Sequence, residues 1–278
     1  MKLLVTGGSG FIGKAFVKAY RGAFDITAPT HAQMNLSDVR AIDKYFKAHR
    51  PDAVVHLAGV AEKATGAALE ADDLIMFKNI QYMSIVYGVK KLVIIGSGAE
   101  FDRSRPISNI SESAIGELVP TDGYGLGKYL IHALAQKDKI TTELRIFDVF
   151  GAGGKGVIDK IVAAGAKRKK QITLARDRVV SAIYIDDAVK VIGEVIKRDI
   201  PKGDYNLVAA EPVSYLDIAK SVKRAVRKEG GDIEIVVKKD GQDLEYTASN
   251  AKLCSALPVK LSAVSASVKK LYEQIKYK

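Results

Sequence analysis

Three residues of this chain have the types and spacing of a proton-transfer site. Tyr124 and Lys128 stand four apart in the run Tyr124-Gly125-Leu126-Gly127-Lys128, so on a helix they share one face. An ammonium beside a phenol stabilises the phenolate and eases loss of the phenol proton. A tyrosine so placed can pass a proton to or from a sugar hydroxyl while a hydride moves at a nicotinamide. Ser97 ends a strand-like run and can hydrogen-bond the same oxygen as it gathers charge. The spacing Tyr-x-x-x-Lys occurs three times, at Tyr87/Lys91, Tyr124/Lys128 and Tyr272/Lys276. Only the second follows a strand-end serine and precedes another strand.

A second stretch supplies what such chemistry would act with. Val5-Thr6-Gly7-Gly8-Ser9-Gly10-Phe11-Ile12-Gly13 joins a short apolar run, Leu3-Leu4-Val5, to a segment of helical periodicity. Glycines at a strand-to-helix turn let the backbone approach a ligand that a Cβ would push away, and let the helix pack close to the strand. The free N–H groups at the helix start suit a diphosphate. Two registers fit, Gly8/Gly10/Gly13 and Gly7/Gly10/Gly13.

These residues need elements to bring them together. Strand-like runs are Phe24 to Thr27, Ala53 to Leu57, Lys91 to Ile95 and Thr142 to Phe147. They alternate with helical patterns: Val39, Ile42, Tyr45 and Phe46, with Ser37 or Asp38 as cap; Leu74 to Tyr87; and Tyr124 to about Gln136. A loop is expected from Gly98 to about Thr121. This order predicts an α/β protein with a doubly wound, Rossmann-type parallel sheet and helices on both faces. Ligands bind such sheets at the carboxyl ends of the strands, so Gly7, Gly59, Ser97 and Asp148 should converge.

The cluster Gly151-Ala152-Gly153-Gly154 divides the chain into residues 1–150, a dinucleotide-binding domain, and 151–278, a smaller C-terminal substrate lobe. Residues of about 181–208 return to the first domain. They include the strand Ala182 to Ile185, a helix capped by Asp186, and the strand Tyr205 to Val208. A helix over Tyr215 to Val226, a strand over Ile233 to Val237 and a helix over Leu261 to Ile275 complete the lobe.

Composition narrows the class. The 278 residues are 47% hydrophobic, enough for one large α/β domain or one with an added lobe. The single cysteine, Cys254, excludes an internal disulfide and fits a reducing compartment. Met1 to Val5 is too short an apolar run for a signal peptide, and no run reaches membrane-spanning length. A cytoplasmic protein with no membrane partner is expected. The net charge of +11 is uneven: 18 Lys+Arg against 16 Asp+Glu in residues 1–150, but 25 against 16 in residues 151–278. An anionic partner such as a nucleotide diphosphate fits. Nucleic acid is not expected, because Lys167-Arg168-Lys169-Lys170 has no interleaved aromatic residue and reads as an exposed helix end. The four histidines lack metal-ligand spacing, and His56 reads as structural, so no metal is expected.

Taken together, the motifs resemble the extended short-chain dehydrogenase/reductases, the NAD-dependent epimerase/dehydratase family of nucleotide-sugar epimerases, dehydratases and 4-keto reductases. The glycine motif, Asn35-Leu36-Ser37-Asp38, His56-Leu57-Ala58-Gly59, Asn79-Ile80, the set Ser97, Tyr124 and Lys128, Leu144 through Gly151, and Ala182 through Asp187 carry the likeness. It implies a cofactor site of Gly7, Gly10, Phe11, Ile12, Gly13, Asn35, Leu36, Leu57, Ala58, Gly59, Asn79, Tyr124, Lys128 and Phe147. It further implies Ser97, Tyr124 and Lys128 as the catalytic residues. Asp148, standing where the family has Asn, falls at a substrate contact, and Arg176 and Arg178 are the candidates to hold a diphosphate. A homodimer is a family expectation.

Within that resemblance, Gly98-Ala99 follows Ser97 where dehydratases carry Asp-Glu, and Ala99 stands where the double-epimerising reductases that make GDP-fucose carry Cys. Hydride transfer alone is left: C4 epimerisation through a transient ketone, or reduction of a 4-keto sugar. The end of the second strand, Ala28 to Gln33, has no acid to bind a ribose 2′-OH and no Arg or Lys to hold a 2′-phosphate, so NADP or NAD is expected, NADP slightly favoured because nothing there repels the phosphate. The competing reading is a non-catalytic protein on the same fold that senses NAD(P) or binds nucleic acid.

Overall fold

The computed structural model describes residues 1–59 and 67–277. The first half runs β1 (Lys2–Thr6), α1 (Phe11–Tyr20), β2 (Asp25–Thr27), α2 (Val39–His49), β3 (Ala53–His56), α3 (Ala67–Val86), β4 (Lys91–Ser97), β5 (Ile107–Ile110), α4 (Gly123–Ala135) and β6 (Thr141–Ile146). The second half runs β7 (Asp148–Phe150), α5 (Val157–Ala166), β8 (Gln171–Leu174), β9 (Val179–Val180), β10 (Ala182–Tyr184), α6 (Ile185–Lys197), β11 (Gly203–Asn206), β12 (Val213–Ser214), α7 (Tyr215–Lys228), β13 (Glu234–Val237), β14 (Tyr246–Ala248), α8 (Ala251–Ala256) and α9 (Val264–Lys276).

Six parallel strands form the central sheet in the order β11-β6-β4-β3-β1-β2. Both faces are apolar, and alternate residues of each strand serve different cores. Leu3, Val5, Ala53, Val55 and Val93 pack with Phe16 of α1 and with α6. Leu4, Val54, Leu92 and Ile94 pack with Ile42 and Phe46 of α2, Phe77 and Ile80 of α3, and Ile131 of α4. The chain leaves β1 toward β2 on one side and returns to β3 on the other. The crevice above the ends of β1 and β3 is therefore the switch point where open α/β sheets take ligands.

The first of these cores runs on without a break into the second half, through Ile158 and Ile161 of α5, Val222 and Val226 of α7, and Val268 and Leu271 of α9. There β8 pairs with β13, and a four-stranded sheet has the order β12-β9-β14-β5. The stretch expected as a loop after Gly98 thus contains β5, which pairs in parallel with β14 near the end of the chain. Asp38 caps α2, accepting from the Arg40 N–H at 2.9 Å. Asp186 does not cap α6. That helix starts two residues earlier, at Ile185 with Tyr184 at the cap position, and Asp186 and Asp187 fall in its first turn, where the helix dipole favours acids. Asp187 instead accepts from the Ser262 N–H at 2.9 Å, holding that segment outside α9, so the last helix begins at Val264 rather than Leu261.

Behind β4, β6 and β11 lies one fully buried guanidinium. Arg145 makes ion pairs with Glu100 (2.6 Å), Asp204 (2.9 Å) and Glu143 (3.7 Å), and donates to the Asn206 amide oxygen at 3.2 Å. His132 on α4 closes the group, its Nδ1 lying 2.7 Å from Glu143 and 3.2 Å from Arg145. Burial, with the Glu143 carboxylate beside it, pushes the Glu100 carboxyl well above its usual range, against the pull of Arg145. Burial also works against the charge on Asp204, but Arg145 and Lys252 outweigh it and hold that carboxyl low. Removing the one central cation would strand these acids. Arg145→Met is expected to cost about 3–5 kcal/mol of folding stability, read as a lowered urea midpoint.

Candidate active site

The turn from β1 into α1 fixes the glycine register. Gly7 has φ +69°, and a Cβ on it would meet the Ala58 N and the Leu57 carbonyl carbon at 2.5 Å. Its carbonyl accepts from the Gly10 N–H at 2.9 Å, and the same carbonyl occupies the space a Cβ on Gly13 would need. The backbone constraints therefore fall on Gly7, Gly10 and Gly13, while Gly8 has the Ala28 side chain as its nearest obstacle. Gly10 is the N-cap of α1 and brings no side-chain acceptor, so none competes with a ligand for the first-turn N–H groups. Ser9 and Gly10 are exposed. Such an open helix start at the switch point fits the diphosphate of a dinucleotide.

Tyr124 and Lys128 lie on α4, whose first turn Asp122 caps through the Gly125 N–H at 2.8 Å. Gly125 is required there, since a Cβ would meet the Ala99 carbonyl at 2.5 Å. The helix thereby settles onto the turn that follows Ser97. Tyr124 is half-buried, with the Arg103 guanidinium and the Lys128 ammonium each 5.8 Å from its ring centroid. Lys128 pairs with Asp73 of α3 at 3.0 Å, their side chains 14% and 6% exposed. Burial opposes the ammonium, yet Tyr124, Asp73 and Glu100 together hold its pKa above the usual lysine value. Tyr124, Lys128 and Asp73 line one cleft with Ile12, Leu57, Ala58 and Gly59.

Ser97 is fixed by local geometry. Its N–H donates to Glu100 Oε1 at 2.6 Å and its Oγ accepts from the Ala99 N–H at 3.2 Å, a capping box around residues 97–100. The spacing Ser-x-x-Glu was a sequence signal for Glu100 that the motif reading passed over. Phe147 and Tyr246, their ring centroids 4.8 Å apart and tilted by 45°, pack against this turn and fill the space beside Gly98.

On the far side of Phe147, Asp148 Oδ2 accepts from the Tyr215 hydroxyl at 3.1 Å. Burial raises the Asp148 carboxyl to about 6, with Asp159 adding to the rise and Tyr215 and Arg178 opposing it. Burial and Asp148 drive the Tyr215 phenol far up in turn. Arg178 donates from Nε to the Leu244 carbonyl at 2.7 Å and lies 4.9 Å over the Tyr246 ring. Arg176 has a buried Nε with no hydrogen-bond partner. Between the two, Asp177 anchors the start of α7 through Ser214 and the Leu216 N–H. Asn35 closes a turn onto the Ser37 N–H at 3.0 Å, and Asn79 donates to the Leu36 carbonyl at 2.9 Å, tying that turn to α3. His56 is buried and 2.7 Å from Thr6 Oγ1, and burial depresses it to about 3, a neutral structural ring. Asp73, Tyr215 and Tyr246 were not read from the sequence. Each reaches the site from an element more than 40 residues from its partner there, and no local pattern marks them.

An open glycine turn at the switch point, and a tyrosine–lysine pair in one cleft with Ile12 of α1, are the features of a candidate nucleotide-dependent oxidoreductase site on a Rossmann-type fold. The chain belongs to the NAD-dependent epimerase/dehydratase family, whose model matches residues 3–207. It is 27% identical over 219 residues, 74% of each chain, to a GDP-6-deoxy-D-talose 4-dehydrogenase of Aggregatibacter actinomycetemcomitans. It is 33% identical over 106 residues, 36% of this chain and 34% of the relative, to a GDP-L-fucose synthase of Azorhizobium caulinodans. Its fold matches a GDP-mannoheptose C4 reductase of Campylobacter jejuni with NADP bound, at TM-score 0.81 and 20% identity over 99% of this chain and 98% of that one. With this membership the chain is an NAD(P)-dependent enzyme, and the hydride-transfer reading stands over the non-catalytic one. No helix of the described residues is long and apolar enough to cross a membrane.

The Asp148 carboxyl gives a pH signature of folding. It holds its proton more tightly folded than unfolded, so the native state gives up stability as pH rises from about 4 to about 6. Asp148→Asn removes that loss. The variant should gain roughly 3 kcal/mol relative to the parent between pH 4 and pH 7, measured by urea denaturation across that range.

Proposed function

We propose that this chain transfers hydride at C4 of a nucleotide-diphosphate sugar, reducing a 4-keto group or epimerising C4 through a transient ketone. The observation that carries the reading is the Tyr124–Lys128 pair, half-buried in one cleft with Ile12 of α1 and with Leu57, Ala58 and Gly59 after β3. NADP(H), when bound, supplies the hydride or takes it up. Gly7, Gly10 and Gly13 hold its diphosphate at the start of α1, with Phe11, Ile12, Asn35, Leu36, Leu57, Ala58, Gly59, Asn79 and Phe147 around the remainder. NADP is favoured over NAD because no acid stands between Ala28 and Gln33.

In the reducing direction Tyr124 gives its phenol proton to the ketone oxygen, and Lys128 stabilises the phenolate left behind. Ser97 receives the Ala99 N–H on its Oγ, which leaves its own hydrogen to donate to the same ketone oxygen. Phe147 forms an apolar wall beside this turn. Asp148 meets a sugar hydroxyl, and Arg176 and Arg178 pair with the diphosphate. Residues 1–150 then serve the cofactor, and 151–278 the substrate, with about 181–208 returning to the first part. The names of the first three curated relatives, GDP-6-deoxy-D-talose 4-dehydrogenase, GDP-L-fucose synthase and GDP-L-colitose synthase, support GDP as the nucleotide. The lone, exposed Cys254 supports a cytoplasmic location.

Tyr124→Phe is expected to lower the rate of GDP-4-keto-6-deoxymannose reduction by about 10²–10⁴ while NADPH binding, followed by fluorescence, stays within a few-fold. Unchanged turnover in that variant would overturn the role of the phenol. Product analysis by NMR separates reduction from epimerisation.

A homodimer fits the outer surface of α3 and α4, where Ile75, Tyr82, Ile85, Val86 and Leu130 are exposed. Sedimentation should give a dimer, and Tyr82→Glu combined with Val86→Asp a monomer.

A further inference from the structure

The ion pair between Asp73 and Lys128 has a consequence for the direction of the reaction. Asp73 stands on α3 and Lys128 on α4. Their 3.0 Å contact is nearly closed to solvent, and both residues line the cleft that Tyr124 lines. The carboxylate is seated against the end of β3, 3.4 Å from where a Cβ on Gly59 would lie, so a glycine leaves room for it. An ammonium alone beside a phenol would favour the phenolate strongly. Here a buried negative charge stands directly on that ammonium and offsets it.

The other charged and titratable groups around the pair are few among the described residues. Arg103 lies 5.8 Å from the Tyr124 ring centroid but is itself paired with Asp122 at 2.8 Å. Glu100 interacts with Lys128 from the turn after Ser97, and its own nearest cation is Arg145 at 2.6 Å. His56 lies beneath the cleft as a neutral ring. The carboxylate bonded to the Lys128 ammonium is that of Asp73.

We infer that Asp73 is a positioning residue that counterbalances Lys128, so that Tyr124 keeps its proton at neutral pH and the enzyme rests in the form that reduces a ketone rather than oxidises an alcohol. The inference rests on the reading of Tyr124 as proton donor. In the step it favours, hydride from NADPH forms a C–H bond at the carbonyl carbon, and the C=O π bond breaks. The phenol proton forms the new O–H bond. NADP⁺ leaves oxidised, and the phenolate recovers a proton from water.

The test uses the tyrosinate absorbance, which is clean because the chain has 12 tyrosines and no tryptophan. The NADP⁺-bound protein is titrated with alkali, and the step missing in Tyr124→Phe belongs to that residue. At an effective dielectric near 20, a unit charge acting across several ångströms moves such a step by about one to two pH units. Asp73→Asn should therefore bring it down by about that much, and Asp73→Glu, which keeps the charge, should leave it in place. The pH at which reduction of GDP-4-keto-6-deoxymannose is lost on the alkaline side should fall in parallel. Asp73→Ala gives the same reading if the amide is not accommodated, with thermal melting as the check on folding. An unmoved step in both neutral variants, alongside an inactive Tyr124→Phe, overturns this inference alone. An equal displacement in Asp73→Glu also overturns it, since shape rather than charge would then be the cause. Full turnover in Tyr124→Phe overturns the parent reading and this one together.

Discussion

The geometry of the active site depends on one buried guanidinium. Arg145 has no exposed surface and joins three parts of the fold that the chain separates widely. Through Glu100 it fixes the turn that carries Ser97. Through Asp204 and Asn206 it fixes the last strand of the sheet. Through Glu143 and His132 it fixes the rotation of α4. That last contact bears most directly on the candidate site, because Tyr124, Lys128 and His132 succeed one another at four-residue intervals on one face of the helix. A helix pinned at His132 presents the other two to the cleft. A buried ion network is weak evidence for stability, since desolvation cancels much of its Coulomb gain. Here its use is registration, bringing the serine turn and the tyrosine helix to fixed positions on either side of one cleft.

Much of this arrangement was legible in the sequence. The spacing of Tyr124 and Lys128, the strand-end position of Ser97 and the glycine turn are local signals, and the six-stranded parallel sheet follows from alternating apolar runs and helical periodicities. The two glycine registers could not be separated by pattern alone. What separates them is the contact of Gly7 with the backbone of Leu57 and Ala58, about fifty residues away. The same limit hid β5, four residues long, whose partner β14 lies some 140 residues further on. Asp73 next to Asp72 reads as part of a solvated helix face, and its role depends on Lys128 of another helix. Asp186, a short polar residue before an apolar stripe, has the sequence pattern of a cap. The helix starts directly off β10, so the acid falls one step inside it.

The basic excess of residues 151–278 looks different once its surroundings are known. Lys223 and Arg227 share Asp232, Arg168 and Lys276 share Glu229, and Lys220 stands beside Asp217. Pairs this exposed contribute little to stability, and they leave the net excess as counted, because their acids already stand in that sum. Arg178 and Arg176 are different in kind. One is drawn in over an aromatic ring and the other has a buried Nε without a partner. Position beside Asp148 and Tyr246 for Arg178, and the buried Nε for Arg176, rather than the density of positive residues, set them apart from the surface lysines.

The placement of β11 has a consequence for how the polypeptide reaches this shape. The strand that completes the central sheet comes from residues 203–206, after the chain has built α5 and β8 in the second half and laid α6 on the sheet beside α1. Until that segment arrives, the outer side of β6 is an open edge of unpaired amides and carbonyls, and the Arg145 guanidinium lacks two of its partners. A ribosome must therefore release most of the protein before the first layer can close, and a fragment ending near residue 150 would carry a sticky border prone to pairing with its own copies. The two halves thus own the sheet jointly, and neither is a module that recombination could exchange intact.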